Sequence, residues 1–156
     1  MSWTTFSTDA PELADRIRAR FEAHLHHVLA TIRADGSPRV SGTEVRWYDD
    51  HVWLGSMPRS MKGWDLRRDR RFALHSAPVD LELLDGDARL SGTAVEITDV
   101  EVIAAFLASL GNPDAPGDAE LFRLEVTGAS IITVTGDKLN VVSWTPGGGV
   151  THIERT

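Results

Sequence analysis

The residues most able to do chemistry lie together between Ser56 and Lys62, where the chain reads Ser-Met-Pro-Arg-Ser-Met-Lys. A strand-like run, residues 51–55, precedes this segment, and a helix-like run follows it as far as Asp69. The first N–H groups of a helix have no partner within the helix and lie at the positive end of its dipole. Hydroxyl groups and a lysine at that end favour an anion such as phosphate. An ordinary capped helix with Lys62 in solvent is the open alternative.

The sequence contains few other patterns that are typical of catalysis or of metal binding. It has no cysteine, which excludes disulfides, cysteine nucleophiles and thiolate metal sites. No serine lies in a nucleophile-elbow motif, so no Ser-His-Asp site is predicted. His24, His26 and His27 have no second histidine-rich motif and no acidic partner at ligand spacing. We therefore interpret them as solvated or interfacial, predict no metal site and assign no catalytic residue.

The composition is typical of a single globular domain, which we expect to span residues 1–156. The formal net charge of −7 argues against general nucleic-acid binding, which depends on neutralising phosphates. The first residues have neither a charged start nor an apolar run, so we expect no signal peptide. No apolar run is long enough to span a bilayer. These features predict a cytoplasmic protein without nucleic-acid or membrane partners.

Hydrophobic periodicity and turn residues predict many strands and few helices. The predicted helices run from about Asp9, as a capping residue, to His24, from Ser60 to Asp69, and behind a capping box at Thr98–Glu101. A polar loop is expected at residues 112–118. The predicted strands are residues 26–33 with Val28, Ala30 and Ile32 on one face, 39–48, 51–56, 71–76, 89–97, 122–135, 138–144 and a short segment at 150–155.

Strands joined by short turns predict an antiparallel sheet closed into a barrel. Several strands are apolar on both faces, as where Val52 and Leu54 oppose Trp53. A small barrel buries only one face of its sheet, so the other face needs helices or a second subunit. We therefore expect a mainly β fold with a few helices, arranged as a homodimer.

The order of these segments resembles the pyridoxamine 5′-phosphate oxidase-like family, the split β-barrel flavin-binding proteins. The resemblance is carried by Leu-Ala-Thr-Ile-Arg-Ala-Asp-Gly-Ser-Pro at 29–38, Val-Trp-Leu-Gly-Ser at 52–56, Ser-Met-Lys at 60–62, and the run at 65–74. Trp144 followed by a glycine-rich turn resembles the C-terminus of the family more loosely. The resemblance implies a split antiparallel β-barrel, an FMN cofactor held between two subunits, and oxidoreductase activity on a small organic molecule.

Carried over by position, the resemblance also implies a set of site residues. In the Ser60-Met61-Lys62 segment, Ser60 and Lys62 would bind the FMN phosphate, and Ser56 and Met57 would line the cofactor. The strand with Arg39, Val40, Ser41 and Thr43 would run beside the isoalloxazine ring, on which Trp144 would stack. His152 and Arg155 would face the substrate.

The chain departs from the oxidases at Met61, where they carry an arginine, and in the strand at residues 39–46. Two alternatives therefore stay open on the same fold. One is a reductase that uses a deazaflavin coenzyme, for which Arg59 would be an additional phosphate contact. The other is a flavin- or haem-binding or sensing protein without turnover.

Overall fold

The computed structural model describes residues 1–78, 82–111 and 119–156, so the predicted polar loop at 112–118 lies outside the described residues. Its helices are α1 (Trp3–Asp9), α2 (Pro11–Glu22), α3 (Met61–Arg68) and α4 (Val100–Ser109). Its strands are β1 (His27–Ile32), β2 (Pro38–Thr43), β3 (Val45–Tyr48), β4 (His51–Ser56), β5 (Arg71–His75), β6 (Asp87–Ile97), β7 (Glu120–Thr135), β8 (Lys138–Thr145) and β9 (Gly149–Arg155).

The strands form one antiparallel sheet in the order β2-β1-β5-β6-β7-β4-β3, with β8 beside β7 and β9 beside β8. The prediction of a mainly β protein with an antiparallel sheet is confirmed. Within the described chain, however, β2 and β3 are not paired with each other, so the sheet is not closed into a barrel as predicted. None of the helices in the described ranges has both the length and the apolar character needed to cross a bilayer.

The chain begins with two helices where the sequence predicted one. Ser2 caps α1 by accepting a hydrogen bond from the N–H of Thr5, and Trp3 and Phe6 on this helix are buried. Asp9 is therefore the last residue of α1, and the prediction that it caps the following helix was wrong. A seven-residue helix is not stable alone. α1 is stabilised because its two aromatic side chains pack in the core. Capping residues in the sequence give no information about such packing.

The two faces of β1 have different surroundings. Its buried residues are His27, Leu29 and Thr31, whereas Val28, Ala30 and Ile32 lie together on the opposite face and are half-buried. The alternation predicted from the sequence is present. The face that turns to the core is the one with His27, Leu29 and Thr31. Thr31 is accommodated there because its hydroxyl donates a hydrogen bond to Asp65 on α3.

Two further boundaries differ from the predicted ones. The strand predicted at 39–48 is two strands, β2 and β3, separated at Glu44. α4 is capped by Asp99, whose carboxylate accepts hydrogen bonds from the N–H groups of Glu101 and Val102, and not by Thr98. By contrast, α3 begins after Ser60 as predicted, and Ser60 accepts a hydrogen bond from the N–H of Gly63.

The buried apolar side chains of the described residues form two clusters. The larger one fills the space between the sheet and helices α1 and α2. The smaller one joins α4 to β4 and β7 through four side chains: Trp53, Ile103, Phe106 and Leu121. The smaller cluster matters for function because Trp53 and Phe106 line a cleft of about 680 Å³.

Candidate functional site

The junction between β4 and α3 brings two serine hydroxyls together. Ser56 is the last residue of β4, and its Oγ lies 2.6 Å from the Oγ of Ser60, the cap of α3. Arg59 between them has a φ of 60°, in the left-handed region that non-glycine residues rarely adopt. Such backbone conformations are often retained at functional sites because the surrounding structure enforces them.

A carboxylate occupies the position at the start of α3 where the sequence predicted a phosphate. Glu120 accepts hydrogen bonds from the Arg59 N–H at 2.8 Å and from the Ser60 Oγ at 3.1 Å. Arg67 Nη1 donates to the same carboxylate at 3.0 Å. The side chain of Glu120 is 8% exposed. It reaches this place because Glu120 is the first residue of β7 and pairs in register with Ser56.

Lys62 lies on the first turn of α3 and points toward β2. Its Nζ donates a hydrogen bond to the carbonyl oxygen of Gly42 at 2.9 Å. Burial lowers the pKa of Lys62 from its ordinary value, against a smaller opposing effect of the Glu44 carboxylate. An anionic ligand beside the ammonium group would favour its charged form.

A cleft of about 680 Å³ opens beside Lys62, within the range typical of small-molecule sites. On one side, Trp53 and Phe106 stack with their ring centroids 5.3 Å apart. Gly42 and Gly55 lie on its strands, and a Cβ added at either would meet nothing within 4 Å, so the backbone there is open to a ligand. The cleft is lined by His26, Gly42, Thr43, Glu44, Arg46, Trp53, Gly55, Ser56, Met57, Pro58, Lys62, Phe106, Leu110 and Ala119.

Four of the residues that the resemblance implied for cofactor binding line this cleft: Thr43, Ser56, Met57 and Lys62. The other residues implied for the cofactor do not line it. Ser60 is engaged with Glu120 and Gly63, and Val40 and Met61 are exposed by 71% and 58%. Arg39 donates to the buried Asp65 on α3. Ser41 lies on the same face of β2 as Arg39, two residues further along.

Trp144 lies in the main core and not at the cleft. It is 1% exposed, and its ring centroid is 4.7 Å from that of Phe6 on α1. This burial leaves no free face of the indole for a cofactor ring, and the packing interpretation of Trp144 replaces the stacking one. The cause is α1, which the sequence analysis did not detect.

His152 and Arg155, which the resemblance implied for substrate binding, lie on β9. All seven residues of this strand are exposed. His152 borders a separate groove with Leu13, Val142 and Val150, and neither His152 nor Arg155 lines the large cleft. β9 pairs with β8 over its whole length and forms an edge of the described sheet.

The three neighbouring histidines do not converge. His27 is buried, and its ring centroid lies 4.9 Å from that of Phe21. Burial lowers the pKa of His27, and the charges of His24 and His26 lower it further. Only His26 borders the cleft, and its Nδ1 lies 3.9 Å from Glu44. Among the residues with a described position, no group of three or more acidic or histidine side chains is arranged to hold a metal ion.

Neither the apolar wall of the cleft nor the Glu120 carboxylate was predicted from the sequence. Phe106 and Leu110 lie four residues apart, so the sequence predicted an apolar face on this helix. It did not show that this face would line the cleft. Glu120 gave no local signal, because it is 60 residues from Ser60 in the sequence.

Comparison with known proteins identifies the fold. The protein is similar to a haem-binding protein from Mycobacterium smegmatis (TM-score 0.63, 20% identity), covering 83% of this chain and 56% of that chain. It is similar to PhzG from Burkholderia lata 383, solved with tetrahydrophenazine-1-carboxylic acid (TM-score 0.65, 17% identity, covering 97% of this chain and 92% of that chain). A third similar structure is a putative pyridoxamine 5′-phosphate oxidase from Listeria innocua (TM-score 0.62, 16% identity, covering 75% and 95%).

Sequence identities this low do not show that the proteins share an activity. The structural similarity establishes the fold alone. The chain spans about half the length of the Mycobacterium smegmatis protein. No curated protein sequence matches the chain significantly. The family model for pyridoxamine 5′-phosphate oxidase, however, matches residues 13–133. That range contains the β4–α3 junction, Lys62 and Glu120, and the chain therefore belongs to the pyridoxamine 5′-phosphate oxidase family.

Proposed function

We propose that the protein binds FMN in the cleft beside Lys62 and acts as an oxidoreductase on a small organic molecule. The proposal rests on one observation. A half-buried lysine, a serine and two aromatic side chains line the same cleft. A phosphate needs charge-assisted donors, and a flavin ring needs a flat apolar surface. Lys62 fits the first need. Trp53 and Phe106 line the cleft and contribute to its apolar wall, although they are only 2% and 4% exposed and so offer the ring their edges and not an open face.

The flavin would supply the electron transfer, and the chain would bind and orient the cofactor and the substrate. Open backbone at Gly42 and Gly55 allows a planar ring to approach two strands closely. The polar residues that line the cleft include Glu44 and Arg46, whose side chains lie 3.4 Å apart. They would contact a polar substrate.

We also propose that the protein acts as a homodimer. Val28, Ala30 and Ile32 lie on the outer face of β1, and Val40 lies on the same face of the neighbouring β2. Val40 is 71% exposed. An apolar sheet face open to water is typical of a surface that another subunit covers. β2 contributes Gly42 and Thr43 to the cleft, so a subunit that docked on this face would lie close to the cofactor.

Haem binding is the second candidate function, and His26 favours it. Histidine is a common axial ligand of haem iron, and His26 lines the cleft near Arg46 and Lys62, which would suit the haem propionates. The similar Mycobacterium smegmatis protein is a haem-binding protein. Without electron transfer to a substrate, such a protein would be a binding or sensing module.

The absorption spectrum of the purified protein tests these proposals, because FMN, deazaflavin and haem have different visible bands. Protein stripped of cofactor is then titrated with FMN, riboflavin, deazaflavin and haem, and each dissociation constant is measured. We expect FMN to bind with a micromolar or lower dissociation constant. Binding of haem or deazaflavin with no affinity for FMN would contradict the proposal. Bound flavin that neither accepts nor donates electrons would leave a binding protein and contradict the enzymatic part.

A further inference from the structure

We propose that the Glu120 carboxylate competes with the cofactor phosphate for the hydrogen-bond donors at the start of α3. Glu120 would thereby determine how much the phosphate contributes to cofactor affinity. The inference rests on the proposed flavin site, and it concerns a residue that does not line the cleft.

The carboxylate of Glu120 is held as a ligand would be. Its Oε1 accepts from the Arg59 N–H and from Arg67 Nη1, and its Oε2 accepts from the Ser60 hydroxyl. Gly63 lets it approach the helix closely, because a Cβ at that position would lie 2.1 Å from Oε2. An anion therefore already satisfies the donors that would otherwise bind a phosphate.

The hydrogen bonds around Ser60 also fix the direction of the Ser56 hydroxyl. An ionised carboxylate only accepts, so Ser60 donates its single hydrogen to Glu120. Ser60 then accepts from the Gly63 N–H and, over 2.6 Å, from the Ser56 hydroxyl. The Ser56 hydrogen points away from the cleft in this arrangement. With Glu120 in place, Lys62 is therefore the main donor that a phosphate in the cleft meets.

Removing the negative charge of Glu120 reverses this arrangement. With a glutamine at position 120, the amide oxygen can keep the Arg59 N–H and the amide NH₂ can donate to Ser60. Ser60 then donates to Ser56, and the Ser56 hydroxyl hydrogen is free to turn into the cleft. Arg67 loses one of its two carboxylate partners and keeps Glu96. The number of donors for a phosphate rises, and a repelling charge disappears.

The test compares FMN with riboflavin, which has the same ring and no phosphate. In the wild-type protein we expect the dissociation constants of riboflavin and FMN to differ by less than about thirtyfold, which corresponds to about 2 kcal/mol. A larger difference would overturn the inference, since the phosphate would be fully bound with Glu120 in place. This measurement needs no variant.

Glu120→Gln provides the second comparison, because it removes the charge and nearly keeps the shape. We expect FMN to bind about ten to a hundred times more tightly, as for new hydrogen bonds to a charged group, while riboflavin affinity changes less than twofold. The matched control is Glu22→Gln, which removes an exposed carboxylate on α2 that pairs with Arg18. Equal changes for both flavins, or none for FMN, would overturn the inference.

Inorganic phosphate separates this inference from the proposed function. In the Glu120→Gln protein, millimolar phosphate should raise the melting temperature by several degrees above the effect of chloride at equal ionic strength. Wild type and Glu22→Gln should show no such rise. If no variant binds any flavin, the proposed function fails, and the phosphate measurement alone decides the role of Glu120. A phosphate effect equal in all three proteins would contradict it.

Discussion

The Nε of Arg39 lies 2.6 Å from Oδ2 of Asp65, a carboxylate with only 2% of its side chain exposed. The Thr31 hydroxyl donates to the same oxygen at 2.9 Å, and Arg68 donates to the other at 3.1 Å. The carboxylate therefore joins β1, β2 and α3. Because Lys62 is on the first turn of α3 and Gly42 is on β2, this network also fixes the side of the cleft that would hold a phosphate.

Replacing Asp65 by Asn should destabilise the protein strongly. Breaking a buried ion pair by removing one partner typically costs about 3–5 kcal/mol, because the other charge stays buried and unpaired. The free energy of unfolding in urea measures this loss. Asp137→Asn, in the turn between β7 and β8, is the matched control and should change stability by less than about 0.5 kcal/mol. A similarly small change for Asp65→Asn would contradict the structural role of the network.

The same network predicts how stability depends on pH. Burial raises the pKa of Asp65, but hydrogen bonds from Arg39, Arg68 and Thr31 outweigh it and leave the pKa below its ordinary value. A depressed folded-state pKa stabilises the protein above the unfolded-state value of about 3.9, and that stability is lost as pH falls through the folded value. Melting temperatures between pH 6 and pH 2 should fall more steeply for wild type than for Asp65→Asn. Parallel curves would be evidence against this contribution.

The sequence predicted most strands because turn residues and alternating apolar residues act locally. Gly36 and Gly136 lie in the turns that were expected, with φ of 82° and 63°. α1 was missed because seven residues carry too little periodicity, and its stability comes from Trp3 and Phe6 in the core. The alternation along β1 was predicted correctly, with Val28, Ala30 and Ile32 on one face, but the sequence did not show which face would meet the core.

The sequence predicted the candidate site only for residues that belong to the family motif and that the fold also brings to the cleft. Ser56, Met57 and Lys62 are close in sequence, and the β4–α3 junction brings them to one cleft. Glu120 and Phe106 reach the same region through long-range pairing and packing, which no local pattern reports. The ion pair between Arg39 and Asp65 was not predicted for the same reason, since the two residues are 26 positions apart in the sequence.

Lys62 should be the main determinant of FMN affinity in the wild-type protein. Lys62→Met keeps most of the apolar stem, removes the charge and should weaken FMN binding by about 1.5–2 kcal/mol, the lower part of the usual range for a hydrogen bond to a charged group. Riboflavin binding should change much less, because riboflavin has no phosphate. Fluorescence titration of both flavins measures the effect, with Lys138→Met on β8 as the control. Equal losses for both flavins would remove Lys62 from the phosphate site.

Trp144 should contribute to stability and not to cofactor binding. Trp144→Ala should cost about 3–5 kcal/mol, the usual range for deleting a buried aromatic side chain. Trp144→Phe should cost less, because the indole N–H is buried and has no hydrogen-bond partner among the described residues. Urea unfolding gives both values. The folded Trp144→Phe protein should bind FMN as wild type does, and a selective loss of flavin affinity would restore the stacking interpretation.

The outer face formed by β1 and β2 should carry the dimer interface. Sedimentation at micromolar concentration should give about 34 kDa for the wild-type protein, twice the chain mass of 17.1 kDa. Val40→Lys places a charge on this face and should shift the protein toward about 17 kDa with weaker FMN binding, because β2 lines the cleft. Val100→Lys is the matched control, since Val100 on α4 is 75% exposed and lies on another surface. A dimer unaffected by Val40→Lys would place the interface elsewhere, and a wild-type monomer that binds FMN would contradict both the assembly and its link to the cofactor.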